Sequence, residues 1–167
     1  MANEVGFKMH ADLLSAPTGP GQYIAHVVNC LATEASGLSK AVFETYPEAN
    51  VYTSTHANGT KGTPGTIVVH HPVINMYAQV GFGAPAEKSP VSKDGKKPLP
   101  SDTEQSRKGY FKRCLEEMAI IKDLKRVTFP WLVGCGMGGG DWKAYEAMIQ
   151  DFATANPHIT VFIYRYE

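Results

Sequence analysis

The stretch from Val127 to Trp142 constrains this chain more than any other. Val127-Thr128-Phe129-Pro130-Trp131-Leu132-Val133 is almost wholly apolar, Gly134 to Gly140 holds five glycines, and Asp141-Trp142 opens a run with apolar positions every three or four residues. That order reads as a strand, a glycine loop and a helix. Glycine lacks Cβ, so such a loop can take positive φ and bring backbone N–H groups close to an anion. Asp141 suits the N-cap of the helix, whose unpaired N–H groups and roughly half a unit of positive charge pull the same way. Together these features predict a phosphate cradle. Neither well-known nucleotide fingerprint accounts for it. Gly134-Cys135-Gly136-Met137-Gly138-Gly139 matches the letters of GxGxxG, but late in the chain, and no acidic residue opens a strand about 20 residues further on. A Walker loop would need Gly-Lys-Ser/Thr, which does not follow.

Upstream, Val5 to His10 alternates in polarity and predicts a short strand, followed by Ala11-Asp12-Leu13-Leu14 and the turn residues Pro17 to Gly21. Asp12, just past the strand, fits a solvated turn acid or a carboxylate that reads a base. Tyr23 to Cys30 is apolar except at His26 and Asn29, as in a central strand buried on both faces. His26 fits either a core histidine bonded to a carbonyl or a catalytic group. Leu31 to Gly37 is small and polar, and Leu38, Ala41, Val42 and Tyr46 then recur at helical spacing until Pro47, so a second strand, loop and helix is predicted. Asn50 to Gly65 reads as a surface connection, and Thr66 to His70 and Val73 to Gln79 as strands joined at His71-Pro72. His70 and His71 lack a third ligand at metal spacing. Gly81 to Pro100, with four prolines and no hydrophobic period, predicts a long mobile loop, either a lid or a solvated excursion. Ser101-Asp102-Thr103-Glu104 fits a capping box with Ser101 at the N-cap, opening a helix to about Lys122. A last helix from Trp142 to near Asn156 and a strand from Ile159 to Tyr166 complete the chain.

The order β β α β β α β α β predicts an α/β fold, a three-layer α/β/α sandwich with a mixed central sheet, as a single domain over 1–167. Ligands of such sheets sit beyond the carboxyl ends of strands, where the loops after Asn29 and Val133 would meet, and two anion-ready loops side by side predict a diphosphate. Lys plus Arg equals Asp plus Glu at 16 each, which leaves no broad electrostatic footprint for nucleic acid or an anionic membrane. Three cysteines far apart, without CxxC spacing, predict reduced thiols and a cytoplasmic or nuclear protein without zinc. No apolar run has the length of a membrane span, and Met1 to His10 lacks the pattern of a signal peptide. A monomer that needs no cofactor is the expectation.

Four pieces carry a resemblance: Ala11-Asp12-Leu13-Leu14; Ile24 to Cys30 with its helix start Ala35-Ser36-Gly37-Leu38-Ser39-Lys40; Ile74 to Gln79; and Phe129 to Trp142. On these the chain resembles the macrodomains, ADP-ribose-binding modules, over essentially its whole length. The form Gly-Cys-Gly-x-Gly-Gly-Gly-Asp-Trp is most similar to the branch that contains ADP-ribose 1″-phosphate phosphatases. The resemblance implies that Asp12 accepts a hydrogen bond from the adenine amino group, with a backbone contact from Leu13 beside it. It implies that Asn29 and the loop of Ala32, Glu34, Ala35, Ser36 and Gly37 hold the distal ribose and one phosphate. Val133, Gly134, Cys135, Gly136, Met137, Gly138 and Gly139 would wrap the diphosphate, and His26 and Asp141 would form the catalytic pair.

On this reading the ligand is ADP-ribose or a phosphorylated or conjugated derivative, and the expected reaction is hydrolysis of the 1″-phosphomonoester. Asp141 would activate water or attack, and His26 would protonate the leaving oxygen. Two departures bear on it. Glu34 stands beside the expected distal ribose where many macrodomains carry glycine, and Val80-Gly81-Phe82-Gly83 replaces the lysine used by members that remove ADP-ribose from proteins or DNA, leaving Lys88 or another loop lysine as the substitute. The alternatives are a non-catalytic ADP-ribose reader, a hydrolase that removes ADP-ribose from protein or nucleic acid, and a dinucleotide-dependent oxidoreductase outside the family.

Overall fold

Two strands with apolar residues on both faces form the middle of the sheet: β2 (Gln22–Asn29) and β4 (Val73–Gln79), the latter buried along its whole length. Around them the computed structural model, which describes residues 3–31, 34–53, 62–86, 95, 98–135 and 140–166, places β1 (Gly6–Lys8), β3 (Ile67–His70), β5 (Arg126–Pro130) and β6 (Thr160–Tyr164) in the order β1-β6-β5-β2-β4-β3. Among the described residues only β3 runs antiparallel, paired with β4. Strand side chains alternate between faces. Tyr23, Ala25, Ile74, Met76 and Ala78 meet α2 (Glu104–Met118) and α3 (Trp142–Ala155) through Phe111, Met118, Tyr145 and Ile149, while Ile24, Val28, Val73 and Tyr77 meet Val42 and Phe43 of α1 (Gly37–Thr45) on the other face. The result is the mixed-sheet α/β/α sandwich expected from the element order.

Several boundaries differ from expectation. β1 stops at Lys8, since His10 takes a left-handed φ of 52°, which an extended ladder does not accommodate. β5 ends at Pro130, and the apolar residues Trp131 to Val133 lie in a turn in which Leu132 has φ 63°. The N-cap of α2 is Thr103, whose hydroxyl accepts from Ser106 N at 3.0 Å; Ser101 instead bonds the Ser106 hydroxyl at 2.6 Å. α2 ends at Met118, where Ala119, Ile120 and Ile121 turn back through short-range backbone bonds. Asn50 to Gly65 is not wholly a surface connection: Val51–Thr53 is a single-turn 3-10 helix that buries Val51 and Tyr52, and 54–61 lie outside the described residues.

The expected loop 81–100 is tied down at its start. Arg107 and Asp102, both buried, pair at 2.8 Å. The Asp102 carboxylate accepts from Val80 N and Gly81 N, and Arg107 donates to the carbonyls of Gly81, Gly83 and Ala84. Burial works against the Asp102 charge, but the guanidinium and the two N–H groups outweigh it and hold the carboxyl below its usual range. Residues 87–94, 96 and 97, Lys88 among them, lie outside the described part.

Candidate functional site

After β2 the chain crosses to β3 and β4 on one side, and later returns to β5 and β6 on the other, so the order reverses between β2 and β5. At such a switch point the loops diverge beyond the carboxyl ends of the strands and leave a crevice. The crevice is present as two abutting cavities. One, of about 330 Å³, is lined by His26, Asn29, Glu34, Ser36, Ser39 and Tyr52 together with Gln79, Phe82 and the turn Pro130 to Gly134. The other, of about 370 Å³, is lined by Asp12, Leu13, Tyr164 and Arg165. Leu38, Pro130 and Trp131 border both, so the two are parts of one cleft.

The cleft brings together many of the predicted residues. Asp12 caps the 3-10 helix Leu13–Ser15, its carboxylate accepting from Leu14 N at 3.0 Å and Ser15 Oγ at 2.8 Å, and it remains exposed at the rim. A carboxylate has about four acceptor sites, so both readings of Asp12, turn acid and base-edge acceptor, are chemically compatible. At the other end Asn29 is buried; Tyr52 bonds its backbone N–H and its amide at 3.1 and 3.3 Å, and Leu31 N donates to Oδ1 at 3.1 Å. Ser36 is the N-cap of α1 without a side-chain cap bond, so its hydroxyl and the positive end of the nine-residue α1 border the cavity. Glu34 lines it as well. Ala35 packs into the core beside α1, and Gly37 begins that helix with φ 56°.

The glycine loop contributes through Val133 and Gly134; Ala32 and Gly136, Met137, Gly138 and Gly139 lie outside the described residues. Gly134 has φ 75°, and a Cβ there would stand 2.8 Å from Cε2 of buried Tyr145. Gly134→Ala should therefore cost about 2 kcal/mol from the left-handed backbone and the overlap together. Urea titration checks this, and a change under 0.5 kcal/mol would show that the turn relaxes. Among the described residues Cys135 is not one of those that line the cleft; burial, then the Asp141 charge, pushes its thiol up to about 12, so it stays protonated and is a poor nucleophile.

The two residues expected to form a catalytic pair are placed apart in role. His26, 1% exposed, lines the cavity with Nε2 2.6 Å from Asn75 Oδ1 and Nδ1 3.1 Å from Ser39 Oγ. Burial, partly opposed by the bond to Asn75, lowers it from 6.5 to about 4, so the ring is neutral near pH 7. Asp141 caps α3 by accepting from Lys143 N at 3.2 Å, is exposed, and does not line the described cleft.

Several residues here receive no site role from the sequence alone, among them Trp131, Arg165, Ser39 and Asn75. Trp131 floors the cleft and is covered by Arg165, whose guanidinium carbon lies 3.7 Å from the ring centroid; the Arg165 Nε is buried without a hydrogen-bond partner among the described residues. Ser39 and Asn75 complete the surroundings of His26. The only local signal for Asn75 was a polar residue inside an apolar strand, and for Ser39 its place in the first turn of α1. Among the described residues no group of three or more His, Cys, Asp or Glu could hold a metal.

No protein-family model and no curated protein matches the chain. Solved structures do. The macrodomain of Mycobacterium tuberculosis DarG is 20% identical with a TM-score of 0.67, covering 96% of this chain and 97% of that one. A macrodomain protein from Streptomyces coelicolor is 21% identical with a TM-score of 0.62, covering 96% and 98%. A mutant of the Oceanobacillus iheyensis macrodomain, solved with ADPR, is 14% identical with a TM-score of 0.65, covering 100% and 88%. The chain has the macrodomain fold.

Proposed function

We propose that the chain binds ADP-ribose, free or conjugated, along the cleft, with adenine at Asp12, the diphosphate against α1 and the Gly134 turn, and the distal ribose near Asn29. The observation that carries the reading is the continuity of the two cavities across Leu38, Pro130 and Trp131, which joins an exposed carboxylate at one end to buried polar side chains at the other. Between them lie a helix N-terminus and a backbone turn, which suit a diphosphate without many lysines. Arg165 adds one cation to the floor. The ADPR in the Oceanobacillus structure supports the ligand class. Calorimetry with ADP-ribose is expected to give a saturable heat, and Asp12→Ala to weaken binding about tenfold through the lost acceptor. Absence of heat at millimolar protein and ligand would reject the reading.

Hydrolysis of ADP-ribose 1″-phosphate is a second reading, favoured by the glycine run ending on exposed Asp141 at the start of α3. It requires a proton for the leaving oxygen, and neutral His26 directs both ring nitrogens to protein partners. Release of phosphate from ADP-ribose 1″-phosphate, lost in Asp141→Ala, is the result that would establish it. Removal of ADP-ribose from protein or nucleic acid would show as release of ADP-ribose from a modified substrate.

A further inference from the structure

His26 and Asn75 are register partners on β2 and β4, both facing α1, and the Ser39 hydroxyl of α1 stands against Nδ1 of the ring. The direction of every bond in this chain follows from one fixed end. Asn75 Nδ2 lies 3.1 Å from Ala49 O and 3.2 Å from Val68 O. Carbonyl oxygens only accept, so the amide nitrogen must face them and the amide oxygen must face His26. The 2.6 Å contact then places a proton on Nε2. A neutral ring has no second proton, so Nδ1 carries a bare lone pair and the Ser39 hydroxyl, 3.1 Å away, donates to it. A serine hydroxyl has one hydrogen. With that hydrogen on His26, Ser39 shows the cavity lone pairs alone.

We propose that the Ser39–His26–Asn75 chain makes Ser39 an acceptor-only contact in the cleft, selecting a ligand with a hydrogen-bond donor there, a ribose hydroxyl, over one with a terminal phosphate. The inference rests on the ADP-ribose reading and narrows it to ligands whose distal ribose is free of a phosphomonoester at this point. Phosphate oxygens are acceptors and need donors opposite them.

The opposite polarity is unfavourable. For Ser39 to donate to a phosphate, Nδ1 must either lose its buried partner or gain a proton. Burial keeps the ring near 4, so at pH 7 about one ring in a thousand is charged. The Phe43 ring, its centroid 5.3 Å from that of His26, offers no substitute donor. Glu34, lining the same cavity, adds a negative charge that opposes a phosphate dianion in the same direction.

The test uses the whole chain in two measurements. Nitrogen resonances of the His26 ring in the free protein should report a protonated Nε2 and a bare Nδ1; a protonated Nδ1 at pH 7 overturns the proposal. Calorimetry should find ADP-ribose bound at least about tenfold tighter than ADP-ribose 1″-phosphate. Ser39→Ala should bring the two within about threefold of each other, and Ser39→Thr, which keeps the hydroxyl, should restore the difference. Equal or tighter binding of the phosphorylated ligand, or a ratio unmoved by Ser39→Ala, overturns the proposal while leaving the cleft reading intact. No heat with either ligand overturns both.

Discussion

Arg107→Met is expected to lower the unfolding free energy by about 3–5 kcal/mol, because it leaves the Asp102 carboxylate buried without its counter-charge. The pair is deep: side-chain exposures are 2% and 4%. Coulomb attraction inside a protein is strong, but desolvation nearly offsets it, so the loss comes from breaking the pair rather than from the pair's net worth. The double variant Asp102→Asn, Arg107→Met should accordingly be less destabilised than Arg107→Met alone, since the asparagine oxygen can still accept from Val80 N or Gly81 N. A functional consequence follows as well. Arg107 holds the carbonyls of Gly81, Gly83 and Ala84, and Phe82 and Gly83 line the cleft, so ADP-ribose affinity should fall together with stability. Urea midpoints of the single and double variants check this. A single variant within 1 kcal/mol of the parent chain would show that water reaches Asp102 and solvates it.

The second large effect is a loss of stability in mild acid. An unfolded histidine takes up its proton near 6.5, whereas folded His26 resists protonation until about 4. Between those values the unfolded chain binds the extra proton, so stability is full above about pH 6.5 and declines as pH falls toward 4. The window corresponds to about 3 kcal/mol. Asp102 acts elsewhere. Its folded carboxyl sits below the ordinary 3.8, so its contribution is intact above that value and is lost only at lower pH, as pH falls through the folded value. His26→Gln, which can still donate to Asn75 and accept from Ser39, should remove most of the decline between pH 6.5 and 4. If His26→Gln and the parent chain lose stability in parallel across that interval, His26 is not the group responsible.

Much of the architecture is legible because its causes are local. Apolar runs and helical periods mark each strand from β1 to β6 and each helix from α1 to α3 in order, and Asp141 followed by a helical period marks a cap that the structure contains. Convergence of the loops after β2 and β5 also follows from element order, since parallel strands put their carboxyl ends on one edge. The start of α2 shows where local signals are degenerate. Ser101 and Thr103 both precede an acceptable helix start, and what separates them is the recruitment of Asp102 to Val80, Gly81 and Arg107, contacts 21 and 22 residues back along the chain and five forward. Tyr52 looked like part of a surface connection because its neighbours are polar, although its hydroxyl closes over Asn29.

The layered α/β/α fold, the glycine turn and the edge of the sheet where a ligand would sit are written in the order of residues, since backbone propensity and side-chain period act over a few residues. The state of His26 depends instead on long-range packing. Its two partners lie 13 and 49 residues away, brought to it by strand register and by the way α1 lies across the sheet. A proton's position in a buried chain of hydrogen bonds is set by the whole chain of donors and acceptors. Here that chain starts at two backbone carbonyls, Ala49 and Val68, whose role no residue type announces.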